Sequence, residues 1–347
     1  MADRSDRYIR QRMFAPFASA GVDAGQDRLK KARVLVCGCG ALGSVIANTL
    51  ARAGVGNLRI VDRDFLELNN LQRQVLYTEE DVHARLPKAI AAANHLRKIN
   101  SEIEIEPIVT DVNFENVQSL LDDVDVIADG TDNFETRFLL NDASHKFGIP
   151  WVYGGCIGSE GQSMTIMPGS TPCLRCIMPE IPPPGTTPTC DTAGILGPVV
   201  NVIASIQSNE VLKIAAGLEQ HVSDKLSVID LWNNRLRQIG LNALRSDDCE
   251  TCGSGKFDWL AGARSSHTAV LCGRNAVQLA FPDRHPVDLE ALEAKLASLG
   301  DVHRNPFLLK ANIESFEITV FSDGRAVIGG TDDPSTAKSV YARYLGN

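Results

Sequence analysis

The stretch ARVLVCGCGALGSVIANTLARAGVGNLRIVDRD, Ala32 to Asp64, decides how the chain is read. Its opening, VLVCG, has the unbroken apolar character of a strand buried on both faces. Gly38-x-Gly40-x-x-Gly43 follows, then an apolar helix, then a second strand that ends at Asp62. In a dinucleotide-binding βαβ unit the first glycine makes the tight turn. The second lets the backbone approach a phosphate, and the third lets helix and strand pack closely. The phosphate rests at the helix N-terminus, where free N–H groups and the dipole favour negative charge. Asp62 is then placed to accept hydrogen bonds from ribose hydroxyls. The motif predicts a nucleotide site built on Gly38, Gly40, Gly43 and Asp62, with NAD as the default ligand.

Working outward, strand and helix patterns alternate as far as Tyr153: KAIAAANHLRKIN as a helix, EIEIEPIVTDV as a strand, DVIADGTD as a strand, ETRFLLNDASHKFG as a helix. This alternation predicts an α/β fold with a Rossmann-like, doubly wound, mostly parallel sheet. A proline-rich loop, MPEIPPPGTTPTC, precedes a long apolar helix and a closing hairpin. Gly and Ser then accumulate, so residues 254–266 are read as a linker between a first domain, 1–253, and a small α+β domain, 267–347. In that second domain SDGR, between two alternating runs, is a hairpin signal.

The loops after the strands change the choice of nucleotide. Asn69, Asn70, Gln72 and Arg73 follow the second strand, and Lys88 opens the next helix. Hydride transfer needs a flat apolar slot for nicotinamide, whereas amides, a guanidinium and an ammonium suit a polyphosphate. Asp129 and Asp132 end another strand, where a carboxylate suits a Mg²⁺ bridging phosphate oxygens. A triphosphate is therefore favoured over a dinucleotide. Separately, Cys173-x-x-Cys176 and Cys249-x-x-Cys252 offer two thiolates each, the set that a structural, tetrahedral Zn²⁺ needs. Cys190 follows the proline-rich loop, near a helix start that would favour its thiolate. Cys37, Cys39 and Cys156 read as packing residues, and Cys272 as a strand cysteine.

Composition bounds the rest. The 347 residues are 44% hydrophobic and 22% charged, with a formal net charge of -9, which argues against a nucleic-acid-coating surface. No apolar run approaches the roughly 20 residues of a membrane span. The charged N-terminus has no signal-peptide core, so a reducing cytoplasm is the expected setting.

The set RYIRQ, GCGALGS, LNNLQRQ, KAIAAANHLRKIN, GTDNFETR, C-L-R-C and C-E-T-C closely resembles the ThiF/MoeB/HesA family, bacterial relatives of ubiquitin-activating enzymes. The resemblance runs from about Arg7 to Gly253. It implies that Gly40 and Asp62 hold the α-phosphate region and ribose of ATP, and that Asn70, Arg73 and Lys88 contact the phosphates. It implies that Asp132 is the Mg²⁺ and catalytic aspartate, and that Arg10 reaches across a homodimer interface into the neighbouring site. It further implies adenylylation of the C-terminal Gly carboxylate of a ubiquitin-like sulfur carrier, ThiS- or MoaD-like. Cys190 would serve a covalent or sulfur-handling step that adenylation does not need. Several relatives carry a rhodanese domain at the C-terminus, and this tail lacks its short cysteine loop. The competing expectations are an NAD-dependent oxidoreductase and an ATP-binding scaffold without catalysis.

Overall fold

A computed structural model describes residues 7–18, 21, 23–183, 193–264, 268–271, 275–279 and 286–346. The chain divides into two compact units, with the main break after Arg264.

The first unit is built on a sheet of eight strands: β1 (Arg33–Cys37), β2 (Asn57–Val61), β3 (Glu104–Ile108), β4 (Val126–Asp129), β5 (Trp151–Ile157), β6 (Glu160–Ile166), β7 (Lys225–Asp230) and β8 (Arg235–Gly240). They lie in the order β3-β2-β1-β4-β5-β6-β7-β8. Pairing is parallel from β3 through β5 and antiparallel from β5 to β8. The α/β, mostly parallel fold is as the sequence predicts.

Strand β1 shows why the sheet has two covered faces. Val34 and Val36 enter one apolar core with the helices Ala41–Ala53, Lys88–Ile99 and Gly197–Ala215. Leu35 and Cys37 enter another with the helix Phe134–Phe147. Period-2 alternation along a central strand sends successive side chains to opposite layers, so both sets must be apolar. Among the described residues no helix is long and apolar enough to cross a membrane.

The N-terminal segment forms three short helices, Ile9–Arg12, Ala15–Ala18 and Ala24–Leu29. Gln11 and Gln26 donate to the carbonyl of Ala53, at 2.9 and 3.0 Å, and so dock this segment on the C-terminal end of the helix Ala41–Ala53.

The stretch read as a linker differs from expectation. As far as Arg264 it folds onto the first unit, where Trp259 is buried and stacks 5.5 Å from Phe138. Its many small residues mask the anchor Trp259 and, beside it, the partly buried Leu260.

The second unit is a six-stranded antiparallel sheet of β9 (Thr268–Leu271), β10 (Ala276–Leu279), β11 (Asp301–Arg304), β12 (Leu308–Ile313), β13 (Phe316–Phe321) and β14 (Ala326–Gly329). Its order is β11-β12-β13-β14-β10-β9. The helices Leu289–Leu296 and Pro334–Tyr344 pack on one face, where Leu292, Leu296, Ala337 and Val340 meet Ile318, Val320 and Ile328.

Candidate functional site

In the parallel part of the sheet the chain leaves β1 for β2 on one side and returns to β4 on the other. Ligands of such sheets bind at that reversal, outside the carboxyl ends of the strands. The glycine loop follows β1 and the Asp132 loop follows β4, so both reach the same place. A cleft there is lined by Gly38, Gly40, Asp62, Lys88, Asp111 and Asp132, among others.

The three glycines do different things. Gly38 has φ +83°, and a Cβ on it would lie 2.7 Å from the carbonyl oxygen of Gly130, so no other residue fits. A Cβ on Gly43 would lie 1.9 Å from the carbonyl oxygen of Gly38, which makes this glycine the helix–loop contact. At Gly40 a Cβ would meet nothing closer than Gln74 Nε2 at 3.8 Å. The protein's own packing does not demand a glycine there; a ligand approaching the backbone would. Gly40 also begins the helix Ala41–Ala53 without a side-chain cap, leaving N–H groups for an anion.

Charged side chains ring this backbone. Asp62 is buried, and its carboxylate accepts from the N–H of Cys39 at 2.6 Å and of Asp64 at 2.7 Å. Burial pushes its carboxyl up from the ordinary range, against the opposing pull of Lys88. Its first task is thus to hold the glycine loop. Lys88 is buried at the start of its helix, with Nζ 3.0 Å from Asp64. Arg63 pairs with Asp111 at 3.1 Å. These partners, Arg63, Asp64 and Asp111, were missed from the sequence, although the DRD run after β2 carries two of them.

The structure separates the two aspartates of DGTDNFETR, Asp129 and Asp132. Asp129 is fully buried, accepting from the Thr131 N–H and hydroxyl at 2.8 and 2.6 Å, with Arg137 Nε 3.7 Å away. Desolvation pushes its carboxyl up. Asp132 is exposed at the rim, and among the described residues no hydrogen bond or ion pair holds its carboxylate. An unpartnered carboxylate facing a cleft fits a Mg²⁺ ligand; the buried Asp129 does not.

Asn70, Arg73 and Arg10, also singled out in the sequence, do not line the cleft. Asn70 is buried in its own turn, accepting the Glu67 N–H at 3.1 Å and donating to Asn69 at 2.8 Å. Arg73 donates to the carbonyl of Asn69 at 2.9 Å. Arg10 is exposed beside Gln11, at the end of the helix Ala41–Ala53 opposite the glycine loop. That helix spans about 20 Å at 1.5 Å per residue. Cys190 and Cys272 lie outside the described residues, as does most of the proline-rich loop.

Elsewhere in the first unit the four paired cysteines converge. Their sulfurs all lie within 4.8 Å of one another, with Cys173–Cys176 at 3.9 Å, Cys173–Cys249 at 3.5 Å and Cys176–Cys252 at 3.3 Å. Four thiolates at about 2.3 Å from one tetrahedral Zn²⁺ would stand about 3.8 Å apart. The donor set and its size are compatible with zinc. Between the two loops the buried guanidinium of Arg175 pairs with Glu250.

A ThiF family pattern matches residues 8–251. The chain belongs to the ThiF family. It is 44% identical over 341 residues, 98% of this chain and 99% of the relative, to a protein of Bacillus subtilis named sulfur carrier protein ThiS adenylyltransferase. It is 37% identical over 253 residues to the sulfur carrier protein adenylyltransferase of Thermus thermophilus, covering 72% of this chain and 90% of that one. Among solved structures, E. coli MccB crystallised with ATP matches at a TM-score of 0.61 and 25% identity, over 72% of this chain and 75% of its own. The ThiF match ends at residue 251, within the first unit, whereas the match to the Bacillus relative covers 98% of the chain and so extends into the second unit.

Proposed function

We propose that the first unit adenylylates the C-terminal glycine carboxylate of a small ubiquitin-like sulfur carrier protein, using ATP and releasing pyrophosphate. The chain is a nucleotidyltransferase. The observation that carries the reading is the sheet reversal, where the open backbone of Gly40, the ammonium of Lys88 and the unpartnered carboxylate of Asp132 face one cleft. The near full-length likeness to a ThiS adenylyltransferase favours a ThiS-type carrier, and so thiamin biosynthesis, over a MoaD-type one.

In this mechanism a carrier carboxylate oxygen bonds the α-phosphorus as the bond to the pyrophosphate oxygen breaks. No general base is needed, because the carboxylate is already ionised at neutral pH. The N–H groups after Gly40 and the Lys88 ammonium stabilise charge that develops on the phosphates, and the cleft holds the two reactants in line. Asp132 would hold Mg²⁺, which when bound supplies positive charge to the phosphate oxygens. Asn70 and Arg73, which stand outside the lining of the cleft, are assigned to the phosphates as well.

Arg10 is assigned to the site of a partner copy. Its position at the far end of the glycine-loop helix denies it the cleft of its own chain. The exposed Ile9, Met13 and Phe14 beside it supply apolar surface for a homodimer. Cys190 is assigned a role in sulfur handling and none in adenylation. Cys173, Cys176, Cys249 and Cys252 would hold Zn²⁺, which when bound would staple the end of this unit to its middle.

The test is to incubate the protein with ATP–Mg²⁺ and either a ThiS-like or a MoaD-like carrier, following pyrophosphate release and the carrier's mass. Pyrophosphate with the ThiS-like carrier, and a carrier heavier by AMP, is the expected result. Turnover with the MoaD-like carrier alone would move the protein to the molybdopterin branch. No turnover with either, together with tight NAD binding, would overturn the reading.

A further inference from the structure

The helix Phe134–Phe147 joins the cleft to the four-cysteine centre. Its N-terminus follows directly on Asp132, and Asn133 caps it by accepting the Thr136 N–H at 2.8 Å. One turn in, Arg137 Nη2 donates to the carbonyl of Thr131 at 2.7 Å and of Gly154 at 3.0 Å. The cleft loop is therefore tied to the first turn of this helix.

Farther along, two adjacent and fully buried side chains each hold one cysteine pair. Asn141 Oδ1 accepts the N–H of Leu174, which lies between Cys173 and Cys176, at 2.8 Å. Asp142 Oδ1 accepts the hydroxyl of Thr251, which lies between Cys249 and Cys252, at 2.8 Å. Its Oδ2 accepts the N–H of Trp259 at 3.0 Å. Stranding a buried amide or carboxylate without these partners would cost several kcal/mol, so the helix and both cysteine loops are held in one arrangement.

We propose that Asn141 and Asp142 are positioning residues that couple the four-cysteine centre to the Asp132 loop, so that the seated metal sets the loop's geometry and its hold on nucleotide. From Asp142 back to Asn133 is about 14 Å of helix, at 1.5 Å per residue. Residues 136–142 of that span are all buried, so the helix moves as a rod and a shift at one end arrives at the other. The nucleotide part of the proposal rests on the adenylation reading above.

The experiment compares zinc-loaded wild type, wild type stripped by a chelator, and zinc-loaded Asp142→Asn. The readouts are amide hydrogen exchange along the chain, zinc release to a chelator, and ATP–Mg²⁺ binding by calorimetry. Stripping zinc is expected to raise exchange at residues 130–137 while β1 keeps its protection, and to weaken ATP binding. Asp142→Asn removes the charge and leaves one oxygen acceptor, so either the Thr251 hydroxyl must turn from donor to acceptor or the Trp259 N–H faces an amide NH₂. The variant should bind zinc roughly 10–100-fold more weakly in competition with a chelator, the range for partners just outside a metal's ligands. It should also raise exchange at 130–137 with the metal still bound, a local change that a general loss of stability would not produce.

Unchanged exchange at 130–137 on stripping overturns the coupling, whether or not the variant folds. If stripping unfolds the whole unit, the variant decides: wild-type exchange at 130–137 in metal-bound Asp142→Asn overturns it. If exchange responds but no form binds ATP, the mechanical coupling stands and the reading of the cleft falls.

Discussion

The cleft beyond β1 and β4 and the four-cysteine centre are both attached to the helix Phe134–Phe147, yet they treat polar atoms in opposite ways. At the cleft, Asp132 is exposed with no hydrogen bond or ion pair among the described residues, and the backbone at Gly40 lies open. At the cysteine centre the four sulfurs face one another, Arg175 pairs with Glu250, and Thr251 and the Trp259 N–H are both taken by Asp142. A site that binds and releases a ligand keeps a few polar groups uncommitted in a concave surface. A structural metal site closes around its ion. Substitutions should therefore damage stability at one centre and turnover at the other.

The largest effect is expected at the cysteines. Structural Zn²⁺ in small domains binds with an apparent free energy of about 10–16 kcal/mol, most of which is folding free energy. Cys173→Ser should abolish bound zinc and lower the melting temperature steeply. Full zinc occupancy and an unchanged melt in that variant would remove the metal from the account of this fold.

The next contrast lies within one loop. Asp129→Ala leaves the buried Arg137 without its carboxylate and should destabilise by about 3–5 kcal/mol, the usual cost of breaking a buried pair. Asp132→Ala touches an exposed, unpartnered side chain and should leave stability within about 0.5 kcal/mol. Its adenylation rate should instead fall by about 10²–10³, as when one charge-stabilising group is lost from an active site. Denaturant titration and pyrophosphate assays on both variants check the pair. A destabilised Asp132→Ala, or a catalytically normal one, would erase the distinction between the two aspartates.

That pair also marks how far the sequence can be read. Local pattern was enough for the glycine turn, the strand–helix alternation and the two CxxC loops, because each is written in adjacent residues. DGTDNFETR offers Asp129 and Asp132 on equal terms, and only the fold shows that the first is fully buried at the end of β4. Asp62 reads as a ribose ligand, but its lone pairs also hold the glycine loop, a bond between residues 23 apart. Asn141 and Asp142 carried no signal, since their partners lie 33 and 109 residues away. Strand β11, DVHR, is mostly exposed and lacks the apolar alternation that would reveal it. The N-terminal stretch to about Ala32, with its mix of Arg, Asp and aromatic residues, reads as helical, and it forms three short helices, with Pro16 in the second and Gly21 at φ +128° before the third.

The smallest expected effect comes from His145, on the same helix near the cysteine centre. A cation in the last turn would be favoured by the helix dipole. Burial outweighs that, and with the charge of Arg245 it lowers the imidazole from its ordinary 6.5 to about 4. Between those pH values the unfolded chain binds a proton that the folded chain does not. By linkage, stability must then fall as the pH drops from about 6.5 towards 4, and the contribution is constant above that window. His145→Gln removes this term, so wild type and variant should keep a fixed stability difference near neutral pH and converge or cross as acid is added. The cysteines also lose metal in acid, so the two proteins must be compared by denaturant titration at equal zinc content, where that contribution cancels. Parallel pH profiles would mean that the imidazole titrates alike in both states. The cysteine end of the helix would then be more open to water than its packing implies, and less unlike the cleft.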